Sequence, residues 1–200
     1  MRALARPSRP RDRSSPPTDG SRLRRLATDD LTQPDTAAIR ALLVGAFGLD
    51  EEERFTDHDW DHATGGVHFV LDVEGEIVAH ASVVERELHV DGRALRTGYV
   101  EAVATASDRQ GLGLGSLLMT EVTAYIRDRF ELRALGTGRH RFYERLGWMA
   151  WRGPSFVRTT EGIRRTPDED GDILVLPTPA SPPLDPDAPI SCDWRPGDVW

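Results

Sequence analysis

The spacing of apolar residues predicts a helix near the start of the chain. Within residues 34–47 apolar side chains recur at intervals of three and four, which is typical of an amphipathic helix. These positions are Ile39, Leu42, Leu43, Ala46 and Phe47. A short strand over residues 23–27 is expected before this helix, and the acidic stretch 50–53 is expected to form a loop after it.

The period of the pattern then changes from helix to strand. Thr56 followed by Asp59 fits a capping box, so a short helix is expected to begin there and to end at Gly65-Gly66. Beyond it, apolar and polar residues alternate over 67–73, 77–90 and 95–105. The dipeptides Glu74-Gly75 and Asp91-Gly92 separate these runs and are hairpin signals. The pattern predicts an antiparallel meander of three strands.

The third of these strands leads into a turn with glycines at 111, 113 and 115, and a helix with one apolar face follows. Further on, we expect a strand over 132–135, a short helix over 140–146, and strands over 148–151 and 173–176. The sequence therefore predicts an α+β (mixed) fold.

The end of the chain has an unusual composition. Six prolines fall within residues 177–189, yet the last nine residues include Trp194 and Trp200. A terminus this apolar is expected to fold back onto the body. The tryptophans at 60, 148, 151 and 194 are expected to be core residues or pocket walls.

Composition excludes several classes of protein. The 200 residues contain 38% hydrophobic residues, enough for one folded domain. All 25 basic residues are Arg, so chemistry that needs a lysine, such as a Schiff base or a P-loop, is excluded. The single Cys192 cannot close an intrachain disulfide, and no run approaches the roughly 20 apolar residues of a membrane span. We therefore expect a cytoplasmic protein.

Charge divides the chain into two parts. Residues 1–25 carry eight Arg and two Asp, a net charge of +6, whereas residues 26–200 carry 17 Arg and 31 acids, a net charge of −14. We expect residues 1–20 to be a disordered Arg/Pro-rich extension and residues 21–200 to form a single domain. The acidic body favours cationic partners and argues against nucleic acid and anionic membrane.

The glycine turn is a candidate anion site. At a helix N-terminus, unpaired backbone N–H groups and the helix dipole favour phosphate oxygens, and glycines let a ligand approach the backbone. Arg109 would add a positive charge. A packing role for the glycines is the alternative. A nicotinamide fold is disfavoured because Ser116 replaces the third glycine of that fingerprint and the preceding strands form an antiparallel meander.

The segment Gln110-Gly111-Leu112-Gly113-Leu114-Gly115 resembles the acyl-CoA motif of the GNAT (GCN5-related) N-acetyltransferases. Within that superfamily, residues 21–200 resemble the aminoglycoside 2'-N-acetyltransferase family. Several segments carry this resemblance: Gly45-Ala46-Phe47, Asp59-Trp60, Gly98-Tyr99-Val100-Glu101, Tyr143, Gly147-Trp148, Thr166-Pro167-Asp168 and the terminal run 192–200. The terminal run is the most specific of them.

The resemblance implies a central, mostly antiparallel twisted sheet flanked by helices, and direct acetyl transfer from acetyl-CoA to an amine. Glu101 corresponds to the family's substrate-binding acid and proposed base, and Tyr143 to the tyrosine proposed to protonate the thiolate. The resemblance also implies a cofactor site at Val103, Ala104 and Thr105, whose main chain would bind acetyl and pantetheine, and at Arg109, Gln110, Gly111, Leu112, Gly113, Leu114, Gly115 and Ser116 for the diphosphate.

The substrate implied is a polycationic sugar, whose pocket should be walled by carboxylates and aromatic faces. The predicted contacts are Glu53, Asp59, Glu101, Ala102, Gly136, Thr137, Asp168, Glu169, Asp198 and the terminal carboxylate of Trp200. Two departures from the family pattern bear on substrate range. Arg54 stands where the family has an acid, and the loop at 136–138 is altered.

Other readings of the sequence remain open. The protein could acetylate a different small amine or a peptide N-terminus, or it could bind acyl-CoA or drug without catalysis. His58 and His62 have zinc-helix spacing, but the required Glu and a third ligand are absent from the motif, so no metal is expected. A nucleophilic role for Cys192 is disfavoured, and the resemblance suggests a homodimer.

Overall fold

The computed structural model describes residues 20–48 and 54–200, which form fourteen elements. The predicted extension 1–20, apart from Gly20, and the predicted acidic loop 50–53 lie outside these residues. In chain order the elements are β1 (Ser21–Ala27), α1 (Gln33–Phe47), α2 (Asp57–Ala63), β2 (Val67–Val73), β3 (Glu76–Val90), β4 (Arg93–Thr105), α3 (Leu114–Arg127), β5 (Leu132–Gly136), α4 (His140–Glu144), β6 (Met149–Ala150), β7 (Ser155–Thr159), β8 (Gly162–Arg165), β9 (Ile173–Pro177) and β10 (Ile190–Asp193).

All ten strands join one sheet. Its main path runs β6-β9-β5-β4-β3-β10-β7-β8, and β1 and β2 extend it from the first half of β3. Seven of the nine pairings are antiparallel. Only β4–β5 and β7–β10 are parallel. The predicted α+β class with a mostly antiparallel sheet is confirmed, and so is the meander β2-β3-β4.

The two predicted hairpins have the turns that their sequences require. Glu74 and Gly75 both have positive φ, as do Asp91 and Gly92. Two successive residues in the left-handed region give a turn whose twist matches the flanking strands, which is why Gly follows an acidic residue at both places.

Three short strands, β7, β8 and β10, are absent from the sequence prediction. β10 follows the proline-rich stretch and inserts between β3 and β7, and its pairing with β3 joins residues about 100 positions apart in the chain. The strand buries Ile190 and Cys192. The end of the chain therefore packs as part of the sheet. Trp194, just beyond β10, is 58% exposed, so its predicted place in the core or a pocket wall is wrong.

Helix α3 packs against one face of the sheet, where it contacts β2, β3, β4 and β5. Leu118, Met119, Val122 and Ile126 are its buried residues. Gly98 allows this close contact, because a Cβ there would lie 2.5 Å from Cγ2 of Ile126. The packing places the N-terminus of α3 next to the end of β4. None of the helices formed by residues 20–48 and 54–200 has the length and apolar run needed to cross a membrane.

The sheet opens between β4 and β5. These parallel strands pair only over Thr97–Tyr99 and Leu132–Ala134. Beyond that point β4 continues along β3, while β5 stays with β9. The edge of residues 100–105 is thereby left without a strand partner on the β5 side. This gap, next to the start of α3, is the place where main-chain groups of the sheet are available to a ligand.

Candidate active site

Two adjoining cavities occupy the gap between β4 and β5. The larger has a volume of about 670 Å³ and is walled by β4, β5, the ends of α1 and α2, and the terminal segment 195–200. The smaller, about 350 Å³, follows the turn into α3. Six residues line both: Val103, Ala104, Thr105, Gln110, Arg139 and Tyr143.

The smaller cavity is built around the N-terminus of α3. Gly113 is the N-cap residue and lies in the left-handed region with φ +82°, and no side chain among the described residues caps the helix. Gly113 lines the cavity, and a Cβ added there would meet no atom within 4 Å. Uncapped N–H groups, the positive helix end and the nearby Arg109, Arg139 and Arg145 suit a diphosphate.

Most of the predicted cofactor residues lie at this cavity. Ten of the eleven line it; Leu112 does not, and its side chain is 66% exposed. The lining also includes Arg139, Phe142 and Arg145, which the sequence analysis missed. Their signal was present, since they belong to the short helix segment that carries Tyr143.

Glu101 lies in the wall of the larger cavity, where β4 leaves β5. Its side chain is only 14% exposed, and one oxygen, Oε1, accepts a hydrogen bond of 2.7 Å from Nη1 of Arg195. Burial raises the pKa of Glu101 to about 7, against the opposing effect of Arg195 and Arg86. A carboxyl group with this pKa is suited to accept a proton near neutral pH.

A β-bulge directly follows Glu101. The register of β3 against β4 shifts between His80 and Ser82, and Ala102 has φ +50°. The bulge changes the direction of the strand at Glu101. A side chain of β3 holds it in place, because Nδ1 of His80 donates to the main-chain oxygen of Ala102 at 2.8 Å.

His80 is one member of a buried chain of hydrogen bonds. Because a carbonyl oxygen only accepts, His80 carries its proton on Nδ1 and its Nε2 accepts from Nδ1 of His68 at 2.9 Å. Nε2 of His68 in turn accepts from the hydroxyl of Thr28 at 3.0 Å. Both rings are fully buried, so both are neutral in the folded protein.

We expect this histidine pair to make stability sensitive to acid. Burial lowers the pKa of His68 to about 4 and, together with repulsion from His68, that of His80 to about 3. The unfolded chain takes up protons below about pH 6.5, whereas the folded protein does so only at lower pH, so the stabilisation is complete above pH 6.5 and declines on acidification. The free energy of unfolding should fall by about 2 kcal/mol per histidine between pH 7 and pH 5.

Urea denaturation at several pH values measures this effect. The double variant His68→Gln/His80→Gln should lose most of the decline, whereas His89→Gln, at a half-buried position beside Glu87 on β3, should retain it. An equal pH dependence in the double variant and the unchanged protein would contradict the prediction.

Tyr143 lies on α4 and borders both cavities. It is 6% exposed and packs edge-on against Phe142 and Trp148. Burial raises the pKa of its hydroxyl above the ordinary tyrosine value, so the hydroxyl remains protonated at neutral pH. In this state the hydroxyl can donate a hydrogen bond or a proton into the cavity.

The predicted substrate residues divide into three groups. Those that line the larger cavity are Asp59, Glu101, Ala102, Gly136, Thr137, Asp198 and Trp200. Asp168 and Glu169 do not line it, although burial and the charge of Asp198 raise the pKa of Glu169. Glu53 lies outside the described residues.

The charges of the larger cavity differ from the expected ring of carboxylates. Three acidic side chains, Asp59, Glu101 and Asp198, and the terminal carboxylate of Trp200 share the lining with three arginines, Arg54, Arg139 and Arg195. One oxygen of Asp59 is already engaged by the N–H and hydroxyl of Thr56, at 2.7 and 2.8 Å. Among the described lining residues the wall is therefore mixed rather than acidic, and the sequence analysis missed the role of Arg195 here.

The remaining candidates pack the terminal segment. Nε2 of His62 lies 2.7 Å from the main-chain oxygen of Pro196, and a Cβ at Gly197 would lie 3.1 Å from Cβ of His58. Cys192 is buried, and burial raises the pKa of its thiol. Within residues 20–48 and 54–200, no three His, Cys, Asp or Glu side chains form a metal-binding cluster.

Comparisons with known proteins identify the family of this chain. The model of the Acetyltransferase (GNAT) family matches residues 29–148. An aminoglycoside 2'-N-acetyltransferase of Mycolicibacterium fortuitum is 42% identical over 182 residues, which cover 88% of this chain and 91% of that protein.

Solved structures show the same fold. A GNAT family acetyltransferase from Brucella melitensis, solved in complex with acetyl-CoA, is 18% identical with a TM-score of 0.56, covering 82% of this chain and 92% of that chain. The GCN5-related N-acetyltransferase from Kribbella flavida is 24% identical with a TM-score of 0.54; 68% of this chain matches only 34% of that one. The chain belongs to the aminoglycoside 2'-N-acetyltransferase family of the GNAT superfamily.

Proposed function

We propose that the protein transfers the acetyl group of acetyl-CoA directly to the 2'-amino group of an aminoglycoside, which would confer resistance to the drug. One observation carries the proposal: Glu101, a carboxyl group ionising near neutral pH, and the protonated Tyr143 line one cavity that adjoins an anion site at a helix N-terminus. The relative from M. fortuitum supports the choice of substrate.

We assign the diphosphate and the pantetheine arm of acetyl-CoA to the smaller cavity. The N–H groups at the start of α3 and the side chain of Arg109 would hold the diphosphate, and Gly111, Gly113 and Gly115 leave room for it. The free edge of Val103–Thr105 offers main-chain groups to the amides of the pantetheine arm. When bound, the cosubstrate supplies the activated acetyl group, and we propose no metal in the reaction.

The amine must be neutral to attack the thioester. Glu101 is placed to take the proton from the incoming amine, directly or through a water molecule, onto its carboxylate. Main-chain N–H groups on the free edge of β4 are suited to stabilise the negative charge that develops on the thioester oxygen. These steps need no covalent acetyl-enzyme.

Tyr143 is placed to give its hydroxyl proton to the departing thiolate sulfur. We expect Tyr143→Phe to lower kcat by about ten- to a thousandfold, because general acid catalysis contributes in this range. Dissociation constants for acetyl-CoA should change little, since the ring keeps its packing against Trp148. Stopped-flow or steady-state thiol release and calorimetry measure the two effects. Tyr125→Phe on α3, outside both cavities, is the control, and an equal loss in both variants would argue against the role.

The drug would occupy the larger cavity. Asp198 offers negative charge to its ammonium groups, Glu101 faces the amine that reacts, and Ala102, Gly136 and Thr137 offer main-chain and hydroxyl contacts. Contacts from Glu53, Asp59, Asp168, Glu169 and Trp200 stay predictions, as do the homodimer, the cytoplasmic location and the absence of nucleic-acid and membrane partners.

The mixed charge of the cavity supports a second candidate. A small amine that also bears an anionic group, or a peptide N-terminus near an acidic residue, would match Arg54 and Arg139 better than a purely cationic sugar. The chain would then be a GNAT enzyme with another acceptor.

A thiol-release assay tests the proposal. We expect rapid, acetyl-CoA-dependent release with an aminoglycoside that carries a 2'-amino group and none with one that carries a 2'-hydroxyl. NMR of the product should place the acetyl group on that nitrogen. No release, or acetylation of another nitrogen, would contradict the proposal, and faster turnover of anionic amines would favour the second candidate.

A further inference from the structure

The carboxylate of Glu101 is held from one side by the terminal segment. Arg195 donates from Nη1 to Oε1 of Glu101 at 2.7 Å, from Nε to the main-chain oxygen of Asp198 at 2.8 Å, and from Nη2 to that of Trp200 at 3.1 Å. All three guanidinium nitrogens are thus engaged. Both side chains of the pair are about 15% exposed or less. No residue of the described chain bonds Oε2 of Glu101, so that oxygen is left to the cavity.

Other charges surround the pair on several elements. Arg86, on β3, donates to the main-chain oxygen of Val199 at 2.7 Å, and its Cζ lies 4.6 Å from the centre of the Tyr99 ring on β4. Asp198 adds a negative charge from the terminal segment. The remaining charged and titratable groups of the cavity are Arg54, Asp59, His62, Arg139, Tyr143 and the terminal carboxylate of Trp200. Of all these groups, only Arg195 contacts the carboxylate of Glu101 directly.

We propose that Arg195 is a positioning residue for acetyl transfer: it fixes Oε1 of Glu101 so that Oε2 faces the acceptor amine. The inference rests on the proposed function in one respect, that Glu101 accepts the proton of an amine. The guanidinium can fix the carboxylate because it is itself anchored to the main-chain oxygen of Asp198 and to an oxygen of the terminal carboxylate of Trp200.

The charge of Arg195 has two consequences for the reaction. It opposes the effect of burial on Glu101 and so keeps a larger fraction of the base ionised at neutral pH. It also makes the pair neutral overall. A lone buried carboxylate would attract the acceptor as an ammonium ion, which cannot attack a thioester. A carboxylate paired with a guanidinium attracts an ammonium ion less strongly. Arg195 therefore favours an acceptor that reacts as the free amine.

The pH dependence of kcat/KM tests the inference. In Arg195→Gln the acidic limb should move upward by about one to three pH units, because an opposite charge at this distance lowers a carboxyl pKa by about that much. Arg195→Lys keeps the positive charge but loses the several N–H donors of the guanidinium. The acidic limb of its kcat/KM profile should therefore move by less than about one pH unit, while kcat falls. Arg152→Gln, which removes an exposed arginine paired with Asp187, is the control. It should change neither the position of the acidic limb nor kcat.

A double variant separates positioning from simple structural support. If Arg195 acts through Glu101, Arg195→Gln should cost nothing further in a Glu101→Gln background. An unmoved acidic limb in Arg195→Gln, or an additive loss in the double variant, would overturn the inference.

Folding supplies a second, independent test. If Arg195→Gln alone fails to fold, because a buried carboxylate has lost its partner, Glu101→Gln/Arg195→Gln should fold again. Circular dichroism and calorimetric binding of acetyl-CoA would record this, and failure of the double variant to fold would contradict the inference.

These measurements do not depend on the drug. The pH limb can be measured with whichever amine the enzyme acetylates, and the folding test needs no activity. Lack of activity towards aminoglycosides would therefore overturn the proposed substrate and leave the result for Arg195 standing.

Discussion

Replacing Glu101 by Gln is expected to lower kcat by about two to four orders of magnitude, the range that a general base contributes. The amide cannot take a proton from the acceptor amine, although it nearly preserves the shape of the side chain. The unchanged enzyme should gain activity as pH rises through about 7, because the pKa of Glu101 is raised to about 7 by burial. Glu101→Gln should lack this limb, which a pH series of thiol-release rates measures.

The control for this prediction is Glu121→Gln, an exposed position on α3. It should retain the rate and the pH profile of the unchanged enzyme. Calorimetry should show nearly the same affinity for acetyl-CoA in both variants, since neither position lines the smaller cavity. A Glu101→Gln enzyme with more than about a tenth of the normal kcat would contradict the assigned role of a general base.

Replacing Gly113 by Val is expected to weaken binding of acetyl-CoA by about ten- to a hundredfold, the loss that corresponds to one or two charge-assisted hydrogen bonds. Gly113 lines the smaller cavity, and a Cβ at this position would meet no other atom within 4 Å, so the larger side chain would occupy open space beside the proposed diphosphate site. It would keep the diphosphate away from the N–H groups of α3.

Gly75→Val is a matched control. Gly75 has φ +88°, and a Cβ there also meets no atom within 4 Å, but the residue lies in the β2–β3 turn away from both cavities. Both variants should therefore lose about the same stability, roughly 1–2 kcal/mol for a branched side chain in the left-handed region. Thermal denaturation measures this loss of stability, and calorimetry measures the affinity for acetyl-CoA. Equal affinity in the two variants would contradict a role of Gly113 in cofactor binding.

Local patterns predicted the elements that frame the candidate site. The meander was predictable because its strands alternate in hydrophobicity and its turns contain Glu74-Gly75 and Asp91-Gly92, which adopt the required positive φ. The strand, glycine turn and helix at 98–127 were also predictable. Apolar residues alternate with a period of two before the glycines and follow helical spacing after them. The capping box predicted at the start of α2 has its expected hydrogen bonds, and a second one, formed by Thr32 and Asp35 at α1, was not predicted.

The features that were not predictable depend on contacts between distant parts of the chain. The pairing of β10 with β3 and the ion pair between Arg195 and Glu101 join residues about 100 positions apart, and no local pattern records them. The bulge at Ala102 is likewise enforced from another strand, by His80.

For one residue, a usable signal was present in the sequence. Asp59 was assigned both to a capping box and to the substrate pocket. The first assignment already implied that its carboxylate accepts hydrogen bonds from Thr56, as it does in the structure. A capping acid has fewer lone pairs left for a ligand, so the two assignments compete for the same oxygen atoms.

The shared lining of the two cavities has a consequence for inhibition. Since Tyr143, Arg139 and residues 103–105 border both, the places proposed for donor and acceptor lie side by side. A single molecule that covalently joins an amine-bearing sugar to a pantetheine thiol could therefore span them without displacing protein. Because each half raises the effective concentration of the other, such a bisubstrate compound should bind far more tightly than either half alone.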